Sequence, residues 1–244
     1  MDRKNNRRPF EDPLTLFSKA LIKLYSIWLR LTYPFASLGR DVSFHFTSIV
    51  YRPRTPRISI GNSSSLREYA WLNVSNDDPT GEPVIVLEDN CHIGFGSIIS
   101  AKNRIHLERD VLVGQFVLII DHNHAYEDIT APVLEQGLTP GGTIRIGQGS
   151  WIGRGSSVIC PRGELTIGRN CVIAANSTVM RSIPDNCVVA GYPATIIRQY
   201  DPETRTWRIG RNGGRVARNA ESFAQTSEMH SKGIGLGEDF AVVK

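Results

Sequence analysis

The sequence predicts an all-β fold, a parallel β-helix in which coils made of six-residue repeats stack on one another. Aliphatic residues recur at every sixth position, glycine directly follows several of them, and Asn or Asp residues lie between them. Glycine, asparagine and aspartate are poor strand residues and favour corners, so repeated turns fit better than long strands. The repeated aliphatic positions are Ile60, Leu66, Leu72, Leu87, Ile93, Ile99, Ile105, Val111, Val117, Ile146, Ile152, Val158, Ile167, Ile173 and Val179.

Each six-residue unit has one aliphatic side chain to bury and cannot bury it alone. In a stack of units these side chains form a column, and the burial of each one is worth roughly 1.5–3 kcal/mol. Adjacent coils also satisfy one another's backbone hydrogen-bonding groups. The repeat is interrupted at residues 73–83, 121–143 and 160–165, and we expect insertions of this kind to leave the stack as loops, which often carry functional sites.

Three segments are predicted along the 244 residues. Residues 1–40 form a basic N-terminal segment with an amphipathic helix, residues 41–200 form the β-helix, and residues 201–244 form a C-terminal tail. The hydrophobic pattern disappears from Pro202 onward, where Arg, Gly, Asn and Ser dominate. We therefore expect the tail to be partly flexible.

The N-terminal helix is predicted over residues 14–31, where apolar residues alternate at spacings of three and four. We expect this stripe to pack on the rest of the protein. The alternative is a peripheral contact with a membrane interface, with Lys19, Lys23 and Arg30 at the level of the lipid headgroups. The stripe consists of Leu14, Phe17, Leu21, Leu24, Trp28 and Leu31.

The charge is unevenly distributed along the chain. The net charge is only +4, but residues 1–40 contain eight Lys and Arg residues against three acidic residues, and residues 198–218 form a second basic stretch. This asymmetry favours anionic partners such as phosphates or an acidic membrane surface. Neither basic segment carries a nucleic-acid-reading motif, so no nucleic-acid partner is expected.

The cysteines and the apolar segments indicate a cytoplasmic protein, with the inner face of the membrane as a possible location. No CxxC pair or zinc-ligand spacing occurs, which fits reduced thiols. No secretory signal is evident near the N-terminus, and charged residues interrupt the only apolar stretch that approaches the length of a membrane span. The four cysteines are Cys91, Cys160, Cys171 and Cys187.

The string DHNHAYED at residues 121–128 is the strongest candidate for a functional site. The regular repeat stops at Val117, and the next inward position is Asn123 inside this string, so we expect the column to open there. His122 and His124 face the same side if the segment is extended, and a metal-binding pair is then one interpretation.

The repeats from Leu87 to Val179, followed by IPDNCVVAGYPATIIR at residues 183–198, resemble the bacterial hexapeptide-repeat acyltransferases. The similarity is strongest to the maltose, galactoside and polysaccharide O-acetyltransferases, and it covers roughly residues 55–200. It implies a left-handed β-helix and a homotrimer that binds acetyl-coenzyme A, the acyl-donor substrate, in clefts between neighbouring columns. It also implies acetyl transfer to a carbohydrate hydroxyl in polysaccharide or lipopolysaccharide biosynthesis, with no metal expected.

The resemblance assigns the general base to His122, and it implies that the loop as far as Gly142 folds over the cleft. A neutral imidazole can take the proton of a hydroxyl as the oxygen attacks a thioester. Candidates to support and orient this imidazole are Asp121, His124, Glu127 and Asp128.

The resemblance also implies contacts with coenzyme A. It places Trp151 beside the pantetheine arm and Ala175 at a backbone contact. Met180 and Arg181 stand where relatives often have Thr and Lys near the adenine and phosphates, so Met180 loses a hydroxyl donor while arginine still binds phosphate. Arg198 matches a basic residue at the same end.

Two other functions remain open from the sequence alone. The γ-class carbonic anhydrases share this β-helix and hold a metal through histidines, which makes a metal-dependent hydratase the first alternative. A non-enzymatic assembly protein that uses the column only as a rigid surface is the second.

Overall fold

A computed structural model describes residues 13–75 and 81–210. One long helix, α1 (Pro13–Thr32), precedes a column of short strands. The strands wind in successive coils, and each complete coil contributes one strand to each of three sheets. Short 3-10 helices occupy Arg52–Arg57 and Val133–Glu135.

The first four coils account for β1 to β12. In chain order these strands are β1 (Ser37–Leu38), β2 (Ser43–Phe44), β3 (Ile49–Val50), β4 (Ile58–Ile60), β5 (Ser65–Leu66), β6 (Trp71–Val74), β7 (Ile85–Leu87), β8 (His92–Ile93), β9 (Ile98–Ala101), β10 (Arg104–Leu107), β11 (Leu112–Val113) and β12 (Leu118–Ile120).

Two further complete coils, a partial coil and a hairpin follow. Their strands are β13 (Gly141–Ile146), β14 (Trp151–Ile152), β15 (Ser157–Ile159), β16 (Arg162–Ile167), β17 (Val172–Ile173), β18 (Thr178–Val179), β19 (Cys187–Gly191), β20 (Ala194–Asp201) and β21 (Thr206–Ile209).

The three sheets run the length of the column. The first sheet has the order β1-β4-β7-β10-β13-β16, and the third runs from β3 through β6, β9, β12 and β15 to β18. The second sheet starts at β2, ends with β17 and β19, and is then extended by the antiparallel hairpin β20–β21. All other pairs are parallel. The predicted all-β, left-handed parallel β-helix is confirmed.

The inward side chains form continuous ladders, and every predicted aliphatic position is buried. The pairing register nevertheless departs from a strict period of six after Ile99. Leu87 stacks on Leu107 rather than on Ile105, which lies beside Ile85. The coil from Leu87 to Leu107 is therefore two residues longer than three six-residue repeats. The extra residues form the corner after β9, and strand β10 then points two side chains inward, those of Ile105 and Leu107.

The N-terminal helix forms, but its expected packing is wrong. Ile22 and Tyr25 are half-buried and Leu29 is buried, and these three side chains face the first coil. The predicted stripe, by contrast, is exposed at Leu14, Phe17, Leu24, Trp28 and Leu31, and only Leu21 is half-buried. The helix has two apolar faces, and the one that the spacing highlighted points away from the protein.

The column extends beyond the predicted boundary at residue 200. Strand β21 lies in the predicted tail, and it pairs with β20 through Tyr200 and Trp207, whose rings lie 5.4 Å apart. The rest of that tail, residues 211–244, lies outside the described residues. Within the described residues, no helix is long and apolar enough to cross a membrane.

Candidate active site

The column opens after β12, as the sequence predicts. The strands stop at Ile120 and resume at Gly141, and residues 123–140 leave the column as an arm. The arm is a narrow hairpin at its base, where the backbone N–H of Asn123 donates to Oγ1 of Thr139 and the backbone N–H of Thr139 donates to the carbonyl of Asn123. His124 also bridges to Leu138 there. Its exposed tip carries Tyr126, Ile129 and Leu134.

Asp121 anchors the base of the arm to the preceding coil. Its carboxylate is fully buried and accepts backbone N–H bonds from Lys102 at 2.7 Å, Asn103 at 2.9 Å and Arg104 at 2.9 Å. These three donors lie at the corner between β9 and β10. Nothing in the sequence indicates them, because backbone amides carry no side-chain signature.

His122 completes the set of donors to this carboxylate. Its Nδ1 lies 2.9 Å from Oδ1 of Asp121. The Asp121 oxygens already accept bonds from three backbone N–H groups, so the assignment that fits this contact has Nδ1–H donating to Oδ1. In a neutral imidazole with this tautomer, Nε2 is the acceptor nitrogen. Among the described residues, Nε2 of His122 has no hydrogen-bond partner. No buried side-chain nitrogen in that part of the chain lacks a partner, so Nε2 must reach solvent. The residue as a whole is only 5% exposed.

The other predicted support residues take different positions. His124 is exposed and takes part in the backbone bridge of the arm. Glu127 forms an ion pair with Arg162 at 2.9 Å, which ties the arm to the first strand of the sixth coil. Asp128 accepts bonds from Thr130 in the arm. Of these four candidates, Asp121 alone contacts the His122 side chain within the described part of the chain.

Three of the predicted coenzyme A residues, Ala175, Met180 and Arg181, border the third sheet. Trp151 projects half-exposed from β14, and Ala175 is exposed at the corner between β17 and β18. Exposed Met180 directly follows β18, and its register continues that of Ile120 and Ile159. Because neighbouring strands lie about 4.8 Å apart, Met180 is about 10 Å along the column from Ile120.

The two predicted arginines lie at different places. Arg181 is exposed and follows Met180 at the same edge as His122. Arg198 lies on β20 opposite Val188, so it belongs to the extended second sheet. The structure thus brings Met180 and Arg181 to the edge of the third sheet where His122 lies, with Ala175 at the opposite edge and Arg198 apart from both.

The outer surfaces of the sheets differ in polarity. On the first sheet His106 pairs with Glu88 at 2.8 Å, and Arg145 pairs with Glu108. The corner between the second and third sheets is apolar, with a ladder of edge-to-face rings and the Arg154 guanidinium 5.5 Å from the last ring. Exposed or half-exposed apolar side chains around this corner are Ile49, Tyr69, Trp71, Phe95, Ile98, Leu112, Phe116, Leu118 and Trp151.

The metal-binding interpretation gains no support from the geometry. Residues 13–75 and 81–210 contain no cluster of three or more His, Cys, Asp or Glu side chains that could hold a metal ion. His122 is committed to Asp121, and His124 lies on the exposed arm.

Comparison with known proteins places these features in context. Over 136 residues the chain is 35% identical to the lipopolysaccharide biosynthesis O-acetyl transferase WbbJ of Escherichia coli K12, covering 53% of this chain and 68% of that protein. It is 29% identical to the acetyltransferase Rv3034c of Mycobacterium tuberculosis, covering 80% of this chain and 57% of that protein. No family model matches the chain.

Solved structures share the fold. The N-acyltransferase AntD from Bacillus cereus, in complex with dTDP and 3-hydroxybutyryl-CoA, superposes with a TM-score of 0.58 at 16% identity. The match covers 84% of this chain and 96% of AntD. At this identity the similarity establishes the β-helix architecture alone.

Proposed function

Because the chain belongs to the hexapeptide-repeat acyltransferase family, we propose that it transfers an acetyl group from acetyl-coenzyme A to a carbohydrate hydroxyl. The observation that carries this proposal is the 2.9 Å contact between Nδ1 of His122 and the buried Asp121, which leaves Nε2 without a protein partner among the described residues. The O-acetyltransferase relatives support the choice of reaction.

His122 is the general base of the proposed reaction. Its Nε2 removes the hydroxyl proton of the acceptor as the acceptor oxygen forms a bond to the thioester carbon. The carbon–sulfur bond then breaks, and the same proton passes from Nε2 to the departing thiolate. Asp121 keeps Nδ1 protonated and stabilises the positive charge that the imidazole carries between the two transfers.

The exposed residues near the third sheet suit a long anionic thioester. The indole of Trp151 offers an apolar surface for the pantetheine arm, and the exposed corner at Ala175 offers backbone groups. Arg181 and Arg198 are exposed cations that can bind phosphate bidentately. Met180 brings an apolar contact in place of a hydroxyl.

The acceptor is inferred from the named relatives. WbbJ is named for lipopolysaccharide biosynthesis, and WcaF of Escherichia coli K12 is named for colanic acid biosynthesis. We accordingly infer an acceptor sugar in polysaccharide or lipopolysaccharide biosynthesis. We also propose a cytoplasmic location, at the inner face of the membrane, in line with the cysteine pattern of reduced thiols.

We also propose that the protein is a homotrimer with acetyl-coenzyme A bound between copies. Trp151 and Ala175 lie on one side of the third sheet and His122 on the other, so a cleft between neighbouring columns brings an imidazole to a thioester more readily than one column does. The apolar corner between the second and third sheets supplies an interface of the composition that stable oligomers use. The exposed tip of the arm, with Ile129 and Leu134, supplies a second contact.

Subunit mixing tests this shared site. The inactive variants His122→Ala and Trp151→Ala are unfolded together, refolded and assayed. Restored activity and a mass three times 27.1 kDa by light scattering support the proposal. A monomeric mass, or a mixture that stays inactive, contradicts it.

Coenzyme A release tests the proposed function itself. The purified protein is incubated with acetyl-coenzyme A and a panel of free sugars, nucleotide sugars and oligosaccharides, with and without EDTA. We expect thiol release that depends on one class of acceptor, a product heavier by one acetyl group, and no effect of EDTA. Failure to bind coenzyme A in calorimetry would favour the assembly protein, and a stoichiometric metal in the purified protein, with no coenzyme A release, would favour the hydratase.

A further inference from the structure

Helix α1 is fixed to the end of the column by its inner face. Leu29 is buried, and Ile22 and Tyr25 are half-buried against the first coil. The backbone N–H of Phe44 donates to Oγ of Ser26 at 2.9 Å, and Arg30 donates to the carbonyl of Leu38 at 3.1 Å. The orientation of the helix is therefore set by polar and apolar contacts together.

The opposite face of α1 is also apolar and faces away from the protein. At 100° per residue, its side chains cover an arc of about 120° that is centred opposite the buried face. Their exposed fractions run from 45% to 79%. The side chains of this outer face are Leu16, Phe17, Leu24, Ile27, Trp28 and Leu31.

Basic residues border the outer face along one edge. On the helix, Lys23 lies next to this arc and Lys19 lies beyond it. Arg30 lies at the same edge, but its guanidinium donates to the carbonyls of Leu38 and Gly39. From Pro13 to Arg40 the chain contains four cations and no acidic residue. Long basic side chains can lay their methylene stems on an apolar surface while the charged end reaches the headgroups of anionic lipids.

We infer that the outer face of α1 binds the surface of an anionic lipid bilayer and lies in its interface. The helix is 20 residues long, which is about 30 Å, and it combines an apolar face, an interfacial tryptophan and a basic border. A second copy of the chain is a less suitable occupant of this face, because it would bring the same cations close to one another. This inference deepens the location given under the proposed function and does not depend on acetyl transfer.

The position of the helix has a consequence for the site. Helix α1 packs on the first coil, and His122 leaves the column at the end of the fourth coil. Three coil spacings amount to about 14 Å. In the proposed trimer the three helices lie at the same end, so several weak contacts act together on one surface.

Flotation of the full-length protein with lipid vesicles tests the inference. Vesicles of phosphatidylcholine alone are compared with vesicles that contain phosphatidylglycerol. The variants are Leu24→Glu/Leu31→Glu on the outer face and Ile209→Glu, which alters an exposed isoleucine on the hairpin at the other end of the column. Circular dichroism and light scattering on each variant report folding and assembly.

We expect the parent protein and Ile209→Glu to float with the anionic vesicles and not with phosphatidylcholine. The double variant is expected to lose at least about tenfold in vesicle partitioning while its fold and mass are unchanged, because two apolar side chains become carboxylates. The inference is overturned if the parent binds neither vesicle, or if the double variant floats as well as the parent. A change in assembly mass in the double variant would assign the face to another copy of the chain. Coenzyme A release with a water-soluble acceptor is measured separately, so either proposal can fail without the other.

Discussion

Replacing Asp121 with asparagine separates its hydrogen-bonding role from its size. The carboxylate accepts four bonds, from the amides of Lys102, Asn103 and Arg104 and from Nδ1 of His122. If the new NH₂ group faces Asn103 and Arg104, two buried donors lose their acceptor. If the NH₂ group faces Lys102 and His122 instead, only the backbone N–H of Lys102 loses its acceptor. Each unsatisfied buried donor costs about 1–3 kcal/mol, so the second orientation is favoured.

The favoured orientation also inverts the imidazole. The new NH₂ donates to Nδ1, the proton moves to Nε2, and the lone pair that accepts the substrate proton is lost. We expect Asp121→Asn to lower kcat by about 10² to 10⁴, the usual contribution of general-base catalysis. The free energy of unfolding should fall by about 1–3 kcal/mol.

The assays are coenzyme A release at saturating acetyl-coenzyme A, urea denaturation, and nitrogen NMR of the imidazole tautomer. Asp185→Asn is the matched control, because Asp185 accepts bonds from the backbone and guanidinium of Arg169 at another corner. That variant should lose some stability and keep its kcat. If Asp121→Asn loses stability but keeps kcat and the parent tautomer, Asp121 only holds the arm in place and the proposed pairing is wrong.

Two further predictions concern the column. Leu87→Ala should lower the free energy of unfolding by about 2–5 kcal/mol, measured in urea at fixed protein concentration. Val86 lies on the same strand but faces outward, so Val86→Ala should cost less. Equal losses would contradict the inward ladder. Burial raises the pKa of Cys91 to about 12 and that of Cys187 to about 11. Thiols of the unfolded chain ionise near about pH 8.5. The free energy of unfolding should therefore be constant below about that pH and fall above it, because the unfolded chain then loses protons that the folded chain keeps. Cys91→Ala/Cys187→Ala should flatten that decline, and an unchanged decline would exclude these two thiols as its cause.

The repeat pattern was sufficient to predict the column. Burying one aliphatic side chain per six residues leaves few alternatives, so the inward positions followed from spacing. The pairing register of β10 did not follow from spacing. Ile105 and Leu107 both point inward, and the sequence contains no signal for the longer corner at residues 102–104.

The helix shows why an apolar stripe does not identify its partner. The spacing of Phe17, Leu24 and Trp28 predicted an amphipathic helix correctly, since local periodicity decides that. The inner contacts of Ile22 and Leu29 depend on the shape of the first coil, which only the fold provides.

At the site, too, contacts between neighbours in the sequence could be predicted, and contacts with other coils could not. The motif singled out His122 and its neighbour Asp121, and the structure joins them. The three backbone donors that hold Asp121 come from the preceding coil, about 18 positions away along the chain. Glu127 was an equally reasonable partner from the sequence, and only the direction of the arm places it on Arg162.

The most direct test compares the initial rate of coenzyme A release in the parent, His122→Ala and His106→Ala, with acetyl-coenzyme A affinity measured for each. His106 lies on the same coil as the site and pairs with Glu88 on the polar first sheet. We predict that His122→Ala loses about 10² to 10⁴ in rate with unchanged donor affinity, while His106→Ala retains the parent rate. A His122→Ala variant as active as the parent would contradict the assignment of the general base.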